Sequence, residues 1–461
     1  MSYHDWMRID ALNGSIPVDM QMNLDWTDGL TNMFYLAKPE RYMFSSQEEV
    51  PNLTKKSWPF LFMLIFLENV VLWLEKKPTL RLNDGITSLS HLLLVELAKL
   101  IFRGSESAAY LWVYNNYRIA ELPWDSVTTW YLTAILVDFC YYWLHRACHE
   151  VHLLWAQHQV HHSSEDYNLT IGLRQSVLQA WCGFLFYLPL ALFVPPSVFL
   201  IHQQFNLLYQ FWIHTETVRS LGPLEWVLNT PRHHLVHHGS TLKCLDKNYG
   251  GTLIIWDRLF GTYSDQPKEE VIFGLVMNQP SFNPLYLQVF YNMNVINKFN
   301  KMEGWANKLS AVIKGPSWLP GKPWTGHDED KIDVKQRVKY DVQVPTWCNI
   351  YIILHFVAVV FGFQDLAQRY LSMDPLTVVA FVVYVLASIT MIGYILEDRP
   401  NAFLLEFFRC LLIATLIHFG VLSVELPYLK WFFAFSVVFW LFHYLRVRQP
   451  SFFKTVKTHS S

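Results

Sequence analysis

Charge is scarce in this 461-residue chain, and that scarcity sets it apart from ordinary soluble domains before any motif is read. Asp, Glu, Lys and Arg supply 16% of the residues, where soluble domains carry about 25%. The net charge is −2, which excludes a strongly basic binder, and no nucleic acid is expected as a partner. Cysteine is sparse as well: there are six, with no CxxC pair, so neither a disulfide framework nor a zinc ribbon is expected. Cys140, Cys182, Cys348 and Cys410 lie in or beside apolar runs and read as small hydrophobes. Residues 1–57 lack a charged start followed by an apolar core, so no cleavable signal peptide is expected. The helical zinc-protease signature HExxH is missing too. After His149 and Glu150 the second histidine would fall at Leu153, and His152 comes one residue early.

Apolar surface, by contrast, is abundant: 52% of residues are hydrophobic and 16% aromatic. Eight apolar runs approach the roughly 17 to 25 residues that span a hydrocarbon core. They are Trp58–Leu74, Ile86–Phe102, Ser126–Trp143, Trp181–Ile201, Trp347–Phe363, Leu376–Leu396, Ala402–Val424 and Trp431–Val447. The expected fold is all-α, a polytopic integral membrane helical bundle surrounded by membrane lipids. Its divisions read as a polar N-terminal segment (1–57), a membrane hairpin and loop (58–125), a histidine-bearing core (126–265), a linker region (266–345), a C-terminal bundle (346–447) and a basic tail (448–461). The turn EKKPTLRLND carries Lys76, Lys77 and Arg81, and the positive-inside tendency places it in the cytosol. Counting crossings puts 102–125 in the lumen and returns the chain to the cytosol at His145. Pro195-Pro196 breaks the run from Trp181 into a second hairpin, and Thr215–Pro345 stays cytosolic. Arg446, Arg448, Lys454 and Lys457 favour the cytosol for the tail. Gly326–Asp341 (GHDEDKIDVKQRVKYD) reads as a solvated linker.

Twelve of the nineteen histidines fall between His145 and His238. Eight of them form three boxes: HRACH (His145, His149), HQVHH (His158, His161, His162) and HLVHH (His234, His237, His238). Residues three and four apart share a helix face, so each box can aim its rings at one point, and neutral imidazole is the commonest side-chain metal ligand. Eight nitrogens exceed one tetrahedral zinc site but suit two metal ions. His214, at the end of FNLLYQFWIH, is a candidate ninth ligand. Any one of these histidines alone reads as an ordinary surface or hydrogen-bonded side chain; the matched spacing carries the argument. An all-nitrogen set is compatible with iron, zinc or copper. Two irons with a position open to dioxygen make best sense beside a membrane, with a lipid C–H bond as target. The boxes would then form a cytosol-facing, histidine-rich di-iron cap. His152, His202 and His233 are left outside the ligand set.

Metal-bound imidazoles commonly donate their other N–H to a carboxylate or carbonyl. Asp138 lies seven residues before His145, two helical turns away on the same face, and is expected in that outer-shell role; pairing with a neighbouring helix is the competing reading. Glu150, Glu165 and Asp166 flank the boxes as further acceptors or as plain solvated carboxylates. Tyr141, Tyr142, Trp143, Phe211 and Trp212 approach the boxes, as tunnel wall, stacking platform or ordinary interfacial aromatics. No cofactor-contacting residue is assigned.

The boxes H-x3-H, H-x2-HH and H-x2-HH on a polytopic chain resemble the fatty acid hydroxylase (sterol desaturase) superfamily of membrane di-iron oxygenases, from about Trp130 to Tyr263. Within it, LPWDS (122–126), VDFCYYWLHRACHE (137–150), HHSSEDYNL (161–169), LRQSVLQ (173–179), FNLLYQFWIHTE (205–216), LNTPRHHLVHHG (228–239), KGPSWLPGKP (314–323) and LEDRP (396–400) are similar to the alkylglycerol monooxygenase family. The resemblance implies two iron ions on the eight box histidines, with His214 as a ninth ligand, and dioxygen as co-substrate. It also implies electrons from tetrahydrobiopterin and cleavage of alkylglycerol ether lipids at the endoplasmic reticulum membrane. Two other readings stay open: a sterol or sphingolipid hydroxylase fed by cytochrome b5, and a histidine-rich metal transporter. Oligomeric state is not legible.

Overall fold

A computed structural model describes residues 26–102, 105–422 and 428–447. The first 25 residues of the N-terminal segment and the basic tail, with Arg448, Lys454 and Lys457, lie outside the described residues. Among the described residues the chain is helical and has no strand beyond two isolated bridges, Leu228 with Leu253 and Gly239 with Phe273. In chain order the α-helices are α1 (Trp26–Met33), α2 (Leu53–Lys56), α3 (Trp58–Leu74), α4 (Leu82–Phe102), α5 (Ser105–Tyr117) and α6 (Val127–Glu150). There follow α7 (His152–His158), α8 (Gln179–Tyr187), α9 (Pro196–Trp212), α10 (Pro231–His237), α11 (Ile255–Phe260) and α12 (Pro284–Lys301). The last are α13 (Trp305–Ile313), α14 (Thr346–Arg369), α15 (Pro375–Leu396), α16 (Ala402–His418) and α17 (Tyr428–Val447).

Among the described residues four helices are long and apolar enough to cross a membrane; they correspond to α3 (with the residues before it), α14, α15 and α17. In a bilayer every backbone N–H and C=O must be satisfied within the segment, which is why apolar runs of this length become helices. The runs Ile86–Phe102 and Ser126–Trp143 also lie in long helices, but α4 and α6 are too polar for that criterion. α4 carries Asn83, Asp84, His91, Glu96 and Lys99, and α6 carries Asp138 together with the first histidine box. The run from Trp181 is interrupted as its prolines predict. It gives α8, a 3-10 turn at Leu188–Leu192, and then α9 with Pro196 in its first turn. Residues 103–125, expected as a loop, contain α5, because AAYLWVY is apolar yet too short to span. The Tyr110 hydroxyl donates to the Val194 carbonyl at 3.0 Å, and its ring stacks on Phe199 at 4.2 Å.

The chain resolves into two compact units. One comprises the described residues of Met1–Leu80, Phe102–Asn278 and Tyr291–Val338, and the other those of Arg81–Ile101, Gln279–Phe290 and Lys339–Ser461. In the first, α5, α6, α8 and α9 interlock through Tyr110, Val137, Leu144, Tyr187, Val198 and Phe199. α6 starts at Ser126, whose hydroxyl accepts from Thr129 N–H, and stops at Val151, whose backbone is extended (φ −122°, ψ 117°). The chain turns there at once into α7, and the freed His152 N–H goes to the Lys314 carbonyl at 2.9 Å. That one-residue break brings the second box back over the first.

In the second unit, α14–α17 enclose a buried polar group. Arg409 on α16 pairs with Glu406 at 2.5 Å, donates to Ser388 on α15 at 2.7 Å and reaches His355 Nδ1 on α14 at 2.9 Å. Tyr351 donates to Glu406 at 2.5 Å, and His355 Nε2 meets Ser436 on α17 at 3.1 Å. Charge this deep in apolar helices is tolerated only when paired.

Candidate metal centre

The three boxes converge. His145, His149, His158, His162 and His237 form one group of imidazoles, and His161, His214, His234 and His238 form another. Within each group one nitrogen per ring lies within 4.8 Å of all the others, and every member is buried. All nine histidines singled out in the sequence are therefore in the two groups, His214 included.

Helical spacing decides the sharing. His145 and His149, His158 and His162, and His234 and His238 are each four apart, and each pair serves a single group. The remaining box members cross over. His161 sits with His162 in a 3-10 turn, where successive side chains diverge by about 120°, so His161 points to the second group. His237, the last residue of α10, crosses to the first. Boxes two and three thus exchange one imidazole each.

Within the first group His145 Nε2 lies 3.1 Å from His158 Nε2, which lies 3.2 Å from His162 Nε2, itself 3.2 Å from His237 Nε2. In the second, His214 Nε2 lies 3.1 Å from His161 Nε2 and 2.9 Å from His234 Nε2, and His238 Nε2 is 3.2 Å from His234 Nε2. Hydrogen bonding between the rings does not account for the His161–His214 approach, because the opposite nitrogen of each ring already donates to a backbone carbonyl. His145 Nδ1 donates to the Tyr249 carbonyl at 2.8 Å, His161 Nδ1 to Arg174 at 3.3 Å, His214 Nδ1 to Gln210 at 2.7 Å and His237 Nδ1 to Lys247 at 2.9 Å. A ring that donates from Nδ1 presents a bare lone pair at Nε2. Bare lone pairs 3 Å apart repel unless a cation lies between them. Nitrogens about 2.1 Å from one cation and at right angles stand roughly 3.0 Å from each other. The His149 Nε2, also buried, has no hydrogen-bond partner. The donor set therefore fits two metal ions. Burial holds His158, His161, His162, His234, His237 and His238 well below the ordinary imidazole value, with neighbouring imidazoles pushing the same way. Neutral rings are what a metal requires.

His152, His202 and His233 stand apart from both groups: His152 donates to the Ala311 carbonyl, His202 bonds Tyr35, and His233 lies against Thr230. Asp138, expected beside an imidazole, makes no such bond. Its Oδ1 accepts from Asn206 and Thr252 N–H, both at 2.7 Å, and its Oδ2 from Leu253 N–H at 3.0 Å and Trp256 at 2.9 Å. Seven residues put it on the right face of α6 but two turns too deep to reach the metal group. It acts on the chain NYGGTL instead. Asp257 holds the other end of that chain, accepting from Tyr249 N–H and Gly250 N–H at 2.7 Å each and from Thr262 at 2.7 Å. Between them the carboxylates fix the Tyr249 carbonyl that receives His145. Gly251 is required here: a Cβ would stand 2.7 Å from the Tyr141 ring and 2.9 Å from Asp138 Oδ1. Of the flanking carboxylates, Glu150 accepts from Arg146 at 2.9 Å and Glu165 from Asn278. Among the five aromatics singled out, Tyr141 packs its ring on His145, with centroids 5.3 Å apart.

Sequence reasoning missed two supports. The segment LRQSVLQ backs the second box: the Gln179 side-chain amide lies against His158 Nδ1, with Nε2 at 3.0 Å and Oε1 at 3.2 Å, Gln175 approaches His161 Nδ1 at 3.3 Å, and Arg174 contributes its carbonyl. The other is Tyr249, fully buried, with its ring 5.2 Å from His149, 5.9 Å from His145 and 6.0 Å from His237. A lone amide or tyrosine carries no spacing signal, so neither could have been found from the sequence alone.

Residues 130–262 match the fatty acid hydroxylase family, and residues 348–435 match the alkylglycerol monooxygenase C-terminal domain. The chain is 44% identical to alkylglycerol monooxygenase of Xenopus tropicalis, over 89% of this chain and 92% of the relative. It is 43% identical to that of Homo sapiens, over 91% and 94% respectively. An ornithine lipid hydroxylase of Rhizobium tropici is 31% identical over 32% of this chain and 44% of its own length. No solved structure matches. With a family match across the histidine core, a second across the C-terminal helices and full-length relatives at this identity, the chain belongs to the alkylglycerol monooxygenase family of membrane monooxygenases.

Proposed function

We propose that the two imidazole groups hold two iron ions, and that the protein is a tetrahydrobiopterin-dependent monooxygenase cleaving the ether bond of alkylglycerols. The observation that carries this reading is the pair of converging imidazole groups in a chain that also has helices apolar enough to cross a membrane. When bound, the irons would supply dioxygen activation, the chemistry an unactivated lipid C–H bond demands. One oxygen atom of dioxygen enters the chain carbon attached to the ether oxygen. The other leaves as water, with two electrons from the reduced pterin and two protons. The resulting hemiacetal collapses to a fatty aldehyde and a glycerol derivative. The ether oxygen weakens the adjacent C–H bond, which makes that carbon the natural target.

The chain's own part is to hold and to exclude. Backbone carbonyls keep the proton on Nδ1 of His145, His161, His214 and His237, so the Nε2 of each of these four faces inward as a ligand. Asp138 and Asp257 brace the Tyr249 segment, and burial of all nine rings keeps bulk water out. On this reading the enzyme lies in the endoplasmic reticulum membrane with its imidazoles on the cytosolic side, as loop charge suggests. The deciding test is release of aldehyde from an alkylglycerol by membranes holding the protein, with and without tetrahydrobiopterin. Turnover of a sterol or sphingolipid with cytochrome b5, and none with the pterin, would replace this reading with the other hydroxylase class.

A further inference from the structure

Tyr249 is built into the first imidazole group by its backbone and its ring, yet its hydroxyl bonds to nothing among the described residues. Its N–H goes to Asp257 and its carbonyl takes His145 Nδ1. The ring is fully buried against His145, His149 and His237. The hydroxyl, buried with it, has no hydrogen-bond partner among the described residues. Tyr142, Tyr167 and Tyr209, buried in the same unit, differ: Tyr142 meets Thr262 at 2.9 Å, Tyr167 donates to Ile213 at 2.9 Å and Tyr209 to Asn229 at 2.7 Å. Buried hydroxyls are nearly always paired, and one left over beside a reactive centre calls for an explanation. A phenylalanine would fill the same space without the cost of desolvating the oxygen.

We propose that the Tyr249 hydroxyl donates a hydrogen bond to the exogenous ligand of the five-imidazole centre, a small oxygen- or nitrogen-donor molecule. This rests on the reading that the centre holds iron. The ring lies against three of the centre's five imidazoles, which places the phenol in that centre's immediate surroundings. Asp257 and the His145 bond fix the backbone from which the phenol projects. The donor is thus positioned before the ligand arrives, as electrostatic preorganisation requires.

The test uses the full-length iron-loaded protein, the variant Tyr249→Phe, and azide as the probe ligand. Azide binding is read from its charge-transfer absorption on ferric iron, alongside iron content and melting temperature. The expected result is an iron content and melting temperature equal to or above those of the parent. Azide should bind roughly tenfold or more weakly, the loss of one charge-assisted hydrogen bond. Less aldehyde per dioxygen consumed is expected as well. Equal azide affinity in Tyr249→Phe and parent would overturn the proposal. So would a fall in melting temperature and iron content without a change in azide affinity, since that marks a purely structural tyrosine. If the parent binds azide through Tyr249 but releases no aldehyde from alkylglycerol, this inference stands and the proposed substrate falls.

Discussion

His145 and His158 face each other through their Nε2 atoms at 3.1 Å while their Nδ1 atoms are engaged elsewhere, by the Tyr249 carbonyl and by Gln179. With the His145 proton held on its outer nitrogen, its Nε2 lone pair is left facing the His158 ring inside a dry pocket. Removing metal should therefore destabilise the fold as well as abolish turnover. Chelation is expected to lower the melting temperature of detergent-solubilised protein, and re-addition of ferrous iron under reducing conditions should restore it. A melting temperature indifferent to chelator would show that the imidazoles do not depend on a cation.

The exchange of imidazoles between boxes separates the roles of neighbours. His145→Ala and His237→Ala strip the first group, His161→Ala and His214→Ala the second. Each is expected to abolish aldehyde release while the protein still inserts in the membrane, and each should reduce bound iron by about one ion per chain. Full activity in any of the four would remove that residue from the ligand set.

Among the described residues Gln179 is a side-chain partner of an imidazole Nδ1 in the first group, that of His158. Outer-shell partners of this kind contribute about 10- to 100-fold in metal affinity or activity. Gln179→Ala is expected to lose at least tenfold in kcat, whereas Gln179→Glu, which still accepts, should recover most of it. An alanine variant with unchanged kcat and iron content would assign His158 its orientation by packing alone.

Asp138 receives four hydrogen bonds and reaches the metal group only through the NYGGTL chain. Asp138→Ala leaves two backbone N–H groups and the Trp256 and Asn206 donors unmatched, at about 1 to 3 kcal/mol for each buried group. The expected outcome is a lower melting temperature together with partial loss of iron. Gly251→Ala should do the same by pushing the chain off Asp138. Unchanged stability and iron content in Asp138→Ala would disconnect the carboxylate from the site.

In the C-terminal bundle Glu406 and Arg409 neutralise each other among apolar helices. Removing one partner strands the other charge, at about 3 to 5 kcal/mol. Glu406→Gln is expected to destabilise more than the paired Glu406→Gln, Arg409→Met change, measured as melting temperature in detergent. Equal losses in the two would mean that the pair contributes no mutual stabilisation.

Much of this architecture is legible along the chain because its determinants are local. Apolar run length dictates helices such as α14 and α15, Pro195-Pro196 dictates the break before α9, and four-residue spacing pairs His158 with His162 and His234 with His238. The histidine count by itself calls for two centres, since no single ion accepts so many nitrogens. Tertiary structure alone decided which centre each ring serves, because the twist of a 3-10 turn at His161 and the end of α10 at His237 send adjacent imidazoles apart. It also decided that Asp138 braces a distant chain rather than an imidazole, and that Gln179 and Tyr249 belong to the site. Those assignments depend on how separate helices stack in space, and no periodicity within one segment encodes the direction in which another segment approaches it.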